Sequence, residues 1–162
     1  MIQVIAAAPL SMGLLTKRGP PEWHPASIDL KQACRCAVDL CKQHNIDISN
    51  LAILFALSNQ QISTTILGMS TIEEVKAAHD IALRFIDVDV PIEPTPPLSQ
   101  DEILQRILSA EEKKVLDILR DRVHGPFASV WENGSYQWDG IAIAHEFWKL
   151  LPDQQVVHWQ KK

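Results

Sequence analysis

Two short stretches of this 162-residue sequence could hold an anion. The first is Gly68-Met69-Ser70-Thr71, which lies between a β-branched run and an amphipathic one, with Glu74 three residues after Thr71. Thr71 and Glu74 fit the S/T-x-x-E capping box, a helix-start signal. A helix start offers free main-chain N–H groups, and two hydroxyls stand beside them here, so phosphate binds well at such an end. The second stretch is Pro9-Leu10-Ser11-Met12-Gly13-Leu14. The missing side chain of Gly13 permits close approach to the backbone, and turned N–H groups can cradle an anion. The residues alone read more simply as an ordinary strand-ending turn. Trp23 and His24 follow in the same long loop. They offer an aromatic face and a hydrogen-bonding ring, or else a tryptophan simply folded over its neighbours. Cys34, Cys36 and Cys41 lie close together, with His44 three residues after Cys41. No C-x-x-C is present and other ligands are scattered, whereas zinc needs about four, so no metal is expected. The thiols read as small packing residues of a helix face. Their odd number argues against a disulfide framework and for a reducing, cytoplasmic compartment.

The elements that must position these residues follow from periodicity. Ile2 to Ala8 is a short apolar run ended by Pro9, which suits a strand buried on both faces of a parallel sheet. Gly13, Gly19, Pro20, Pro21 and Pro25 forbid a regular element through Ala26. Ser27 caps a helix to about His44, with Leu30, Cys34, Ala37, Val38 and Cys41 on one face. A second helix runs from about Ser49 to Leu57, and Ser63 to Leu67 form a second strand. The helix begun at Thr71 carries the stripe Ile72, Val75, His79, Ala82, Leu83 and Ile86, which makes His79 a core histidine. Strands alternating with helices indicate βαβ units. Four prolines between Pro91 and Pro97 make a stiff linker over 91–98. Beyond it, Ser99/Glu102 and Ser109/Glu112 form two more capping boxes, for helices at about Asp101–Leu108 and Ala110–Val123. Trp131, Trp138, Trp148, Trp159, Tyr136 and Phe147 crowd the tail, where they pack the extension or close over a substrate mouth.

Composition narrows the function classes. Apolar residues are 46% and charged residues 22%, ordinary globular values. A net charge of −5 disfavours a broad nucleic-acid-binding face. No apolar run reaches ~18 residues, so no membrane span is expected, and the start of the chain lacks the basic n-region of a signal peptide. Two convincing strands are too few for a parallel sheet covered on both faces. The pattern is that of part of a larger α/β fold.

The segment AAAPLSMGLLTKRGPPEWHPAS resembles the aldo-keto reductases, most closely the L-galactose and D-arabinose dehydrogenase branch. Pro9, Leu10, Gly13, Leu14, Leu15 and Thr16 match the end of that family's seventh barrel strand. Gly19-Pro20-Pro21-Glu22-Trp23-His24-Pro25-Ala26 is similar to the branch's loop. Leu51 through Asn59 and Ile66 through Thr71 resemble its last helix, eighth strand and cofactor loop. The likeness covers roughly residues 1–86.

The resemblance implies the C-terminal part of a (β/α)8 TIM barrel, about its last two βα units over residues 1–90, followed by the linker and a helical, Trp-rich extension over 99–162. It implies an NAD(P)-dependent oxidoreductase that oxidises an aldose to its lactone. Pro9, Leu10, Gly13 and Leu14 would lie along the cofactor pyrophosphate. Gly68, Met69, Ser70, Thr71 and Glu74 would meet the adenosine 2′ position. Relatives preferring NADP often carry Arg where Glu74 stands. A carboxylate there repels a 2′-phosphate and accepts from a ribose hydroxyl, which favours NAD. The family's Glu-Asn pair for adenine is replaced by Ala77 and Ala78. Trp23 and His24 would line a sugar site. The catalytic Asp, Tyr, Lys and His of the family come from earlier strands, and Tyr136 matches none of them, so no residue here is assigned to catalysis. The chain alone is then expected to be inactive, and to need a partner or to oligomerise. The other reading is a short, non-catalytic interaction module.

Overall fold

The computed structural model describes residues 3–87 and 98–128. Most of the proline-rich linker and the whole aromatic tail, including Tyr136, lie outside the described residues. The chain begins with strand β1 (Ile5–Ala7), a single turn at Ser11–Gly13, and helices α1 (Ile28–Gln43) and α2 (Ile48–Leu57). Strand β2 (Thr64–Ile66) and helices α3 (Ile72–Asp87), α4 (Gln100–Ile107) and α5 (Ala110–Arg120) follow. β1 and β2 pair in parallel, Ile5 opposite Thr64 and Ala7 opposite Ile66. The Ala8 amide extends the ladder to the Ile66 carbonyl (3.1 Å), and Ser63 donates to the Val4 carbonyl (2.9 Å). The helices between the strands make a βαβ crossover, the expected α/β class.

The local start signals explain where the helices begin. The Ser27 side chain accepts from the Leu30 amide at α1, and Asp47 accepts from Ser49 at α2. Both capping boxes of the extension form, Ser99 with Glu102 and Ser109 with Glu112. α5 ends at Arg120, short of the expected Val123, because the Asp121 carboxylate accepts from the Val123 and His124 amides and starts a turn.

The core is helical. Ala37 and Cys41 of α1, Leu51 and Leu54 of α2 and Ile81 of α3 are buried with Ile103, Leu104 and Ile107 of α4 and Val115, Leu116 and Leu119 of α5. Arg84 ties α3 to the extension. Its guanidinium makes two hydrogen bonds to the Glu112 carboxylate, one of 2.8 Å, and donates to the Ile107 carbonyl (2.6 Å).

Two expectations fail. The strands are not covered on both faces: Ile5 is 62% and Ile66 55% exposed. A two-stranded sheet has no second layer against these residues. Nor does the stripe on α3 face the core. Ile72 (70%), Val75, Leu83 and Ile86 (71%) are exposed, and His79 is an exposed residue 3.4 Å from the Asp80 carboxylate. α3 carries a second apolar row, Ala78, Ile81, Ala82 and Phe85, at the same helical spacing, and this row is the one that packs inward.

Candidate functional site

Parallel pairing brings the loops after β1 and β2 to the same end of the sheet, the end where α/β proteins place ligands. The loop after β1 is tightly wound. Ala8, Ser11 and Met12 hold positive φ (55°, 48° and 52°), and Gly13 follows at 96°. Non-glycine residues hold such angles only where their surroundings fix them, and functional sites collect them. A Cβ on Gly13 would stand 2.9 Å from the Gly19 carbonyl oxygen, so glycine is needed there for space as well as for φ. The amides of Ser11, Gly13, Leu14 and Leu15 donate inside the loop, to the carbonyls of Ala8, Leu10, Ser11 and Leu10. These four amides are thus spent on the loop's own shape. Pro9 and Leu10 are half-buried. Leu14 is buried, and Leu10 packs on the helical core.

His24 explains how the long excursion is held. It is 4% exposed. Its Nδ1 accepts from the Ala26 amide (3.0 Å), so the proton resides on Nε2, which donates to the Ser11 carbonyl (3.1 Å). Burial lowers its pKa, against the Ser11 bond that favours the charged form. Both ring nitrogens are thus engaged by backbone, and neither is available to a sugar hydroxyl. His24 instead pins the 19–26 segment to the cofactor-loop candidate. Trp23, beside it, is half-buried.

The loop after β2 is open. Gly68, Met69, Ser70 and Thr71 are all exposed, and nothing lies within 4 Å of a Cβ built on Gly68. The Glu74 carboxylate lies over the start of α3. Its Oε2 accepts from the Ser70 amide (2.6 Å), the Ser70 hydroxyl (3.0 Å) and the Thr71 amide (3.3 Å), while the Glu74 amide donates to the Thr71 hydroxyl (3.1 Å). These bonds, the Ser70 amide first, hold the Glu74 carboxyl below the usual carboxylate range. The anion position of this helix is filled by the chain's own carboxylate. Sequence reasoning missed Arg18, whose charge also favours ionised Glu74 and so links the two loops. The basic pair Lys17-Arg18 just before Gly19-Pro20 was the available signal.

Among the described residues no three His, Cys, Asp or Glu side chains come together as a metal site, and no helix is long and apolar enough to cross a membrane.

A parallel strand pair whose loops meet at one end, one of them wound over a Pro-Leu-x-x-Gly turn, is a piece of an α/β fold with its candidate site at the strand ends. The sequence profile of the Aldo/keto reductase family matches residues 2–89, more than half of the chain, and the chain belongs to that family. The family implies a TIM-barrel fold, and its members generally use NAD(P)H. L-galactose dehydrogenase of Arabidopsis thaliana is 49% identical over 75 residues, which are 46% of this chain and 24% of that protein. D-arabinose 1-dehydrogenase of Saccharomyces cerevisiae is 35% identical over 78 residues, 48% of this chain and 23% of that protein. The chain spans about a quarter of the length of these curated relatives.

Proposed function

We propose that this chain forms the last two βα units of a cytoplasmic, NAD-dependent sugar dehydrogenase barrel that oxidises an aldose of the L-galactose or D-arabinose type to its lactone. The observation that carries the reading is that the segment similar to two sugar dehydrogenases is the one that builds the two adjacent strand-end loops. The exposed apolar residues support it. Val4, Ile5, Ile66, Ile72 and Ile86 lie where preceding barrel strands and helices would cover them. In this reading Pro9, Leu10, Gly13 and Leu14 line the pyrophosphate. Gly68, Met69, Ser70, Thr71 and Glu74 line the adenosine ribose, and Trp23 stays the loop residue for the sugar ring. The Asp, Tyr, Lys and His of catalysis belong to preceding strands, and this chain supplies binding rather than proton transfer. The nicotinamide would take the hydride from the sugar carbon. The preference for NAD rests on Glu74. A 2′-phosphate would have to displace a carboxylate from the Ser70 and Thr71 amides and then sit beside it, whereas a ribose hydroxyl can donate to it.

A second reading is a non-catalytic module that docks a partner through the same bare faces. Ala77 and Ala78, which lack the polar groups expected for adenine, favour it. One experiment separates the two. The protein is recovered from its natural source with an antibody to this chain, sized, and assayed for NAD reduction with L-galactose and D-arabinose. A much longer protein that reduces NAD supports the dehydrogenase. A 162-residue protein that neither binds nor reduces NAD overturns it.

A further inference from the structure

We propose that His24 is a positioning residue: as the neutral ring that carries its proton on Nε2, it clamps the turn at Ser11–Gly13 and thereby sets how tightly the loop after β1 holds a dinucleotide. The choice of ligand rests on the dehydrogenase reading; the clamp does not. The turn needs an external hold. Ser11 and Met12 stand in the left-handed region, as does Ala8 before them, and exposed residues do not keep such angles unaided. Part of the hold is local. The Ser11 amide donates to the Ala8 carbonyl (2.8 Å), and the Leu14 amide donates to the Ser11 carbonyl (3.2 Å). The rest comes from farther along the chain. His24 Nε2 donates to that same Ser11 carbonyl, so one oxygen takes two hydrogen bonds, and the Ser11–Met12 peptide cannot turn without disturbing both. The ring is itself fixed, by the Ala26 amide on Nδ1 and by the His24 amide on the Pro21 carbonyl (3.0 Å). Thr16 shapes only the near side of the excursion. Its hydroxyl donates to the Gly13 carbonyl (2.8 Å) and accepts from the Gly19 amide (3.2 Å). The clamp has one working protonation state. A second proton would set an Nδ1–H against the Ala26 N–H, two donors face to face at a buried ring, and the ring would have to swing out. Burial is the main resistance to that proton; the Ser11 bond favours it, and the field of Lys31 on α1 opposes it. The clamp is therefore closed at neutral pH and opens in acid.

The test compares wild type, His24→Phe and His24→Gln in the full chain, first without ligand and then with NADH. Trypsin reads the clamp directly, because Lys17 and Arg18 lie exposed within the clamped excursion. At neutral pH, cleavage after them should be about tenfold faster in His24→Phe, the scale of one lost buried hydrogen bond. His24→Gln keeps a donor in place of Nε2 and has no titrating group. It should recover most of the protection and keep it at about pH 5, where wild type loses it. Amide NMR shifts of Ser11, Met12 and Gly13 should follow the same order. NADH, followed by its fluorescence, should bind about tenfold more weakly to His24→Phe and, at about pH 5, to wild type, but not to His24→Gln. Wild-type cleavage rates in His24→Phe, with unmoved shifts at Ser11–Gly13, would overturn the clamp. So would a pH dependence of cleavage that persists in His24→Gln. If wild type binds no NADH, the dehydrogenase reading fails, and the trypsin and NMR results still judge the clamp. If NADH binds all three proteins alike while cleavage changes, the loop is clamped but does not seat the dinucleotide, and the affinity half of the proposal falls.

Discussion

The Arg84–Glu112 pair is the one place where the cost of breaking the contact between α3 and the extension can be worked out. Glu112 accepts two hydrogen bonds from Arg84 and one from the Ser109 amide (2.7 Å), and its side chain is 13% exposed. These bonds, Arg84 first, hold its carboxyl at about 2 against an ordinary 4.5. Such a displacement corresponds to ~3 kcal/mol if nothing screens it. The Arg84 side chain is 35% exposed, so water screens part of that, and ~2 kcal/mol is the working figure. Because the folded-state pKa is depressed, the stabilisation is complete above about 4.5 and fades as pH falls towards 2.

The perturbation is Glu112→Gln, which keeps an oxygen for the Ser109 cap and removes the charge. Urea unfolding of the full chain at pH 7 should show a loss of ~2 kcal/mol. The gap between wild type and variant should narrow through pH 4 and largely close near pH 2. A cycle with Arg84→Met separates the pair from the stranded guanidinium. Equal stability at pH 7, or a gap that does not change between pH 7 and pH 2, would refute the reasoning.

Gly13→Ala should lower stability by roughly 1–3 kcal/mol in thermal melts, because it adds a Cβ against Gly19 at positive φ; an unchanged midpoint would show that the loop is not fixed as described. Glu74→Arg in the protein recovered from its source should raise the affinity for NADP relative to NAD by about tenfold, read by cofactor fluorescence, and an unchanged ratio would remove Glu74 from the selectivity argument. Burial pushes the Cys34 and Cys41 thiols up to about 11 while Cys36 is exposed, so iodoacetamide at pH 8 should add one label to the native chain and three after unfolding. His24 is held neutral with its pKa lowered, so stability should fall as pH drops below about 6.5, by an amount that His24→Phe abolishes in pH-dependent urea titrations.

Features set by neighbours in sequence were legible, and features set by neighbours in space were not. The capping boxes at Thr71, Ser99 and Ser109 form because donor and acceptor sit three residues apart, so spacing alone determines them. Helix α1 buries Cys34, Ala37 and Cys41 as its periodicity requires. α3 defeats the same reasoning because it has two apolar rows, and only the position of α2 decides which row turns inward. The roles of His24 and Arg18 are likewise invisible in spacing. The bond from His24 to Ser11 spans 13 residues of glycine- and proline-rich chain, and the charge of Arg18 is felt at Glu74 only because two parallel strands end side by side.

The division of labour in the chain follows from where its core lies. Half of the buried cluster comes from α4, α5 and Leu108 between them, which stand beyond the family-matched segment, and none of it comes from β1 or β2. β1 and β2 are therefore joined to the rest through the flanking Leu10, Leu14, Leu15 and Leu67, the Ser49 hydroxyl on the Leu15 carbonyl (3.1 Å) and the Lys17–Asp47 pair. Substitutions in α4 or α5 should act on global stability and leave cofactor choice alone. Substitutions in the loops after β1 and β2 should do the reverse. Bare Ile5 and Ile66 flank those loops, so any layer laid over the strands acts first on the loops. Covering the sheet would order the strand-end loops directly, while the helical core, already complete, would gain little.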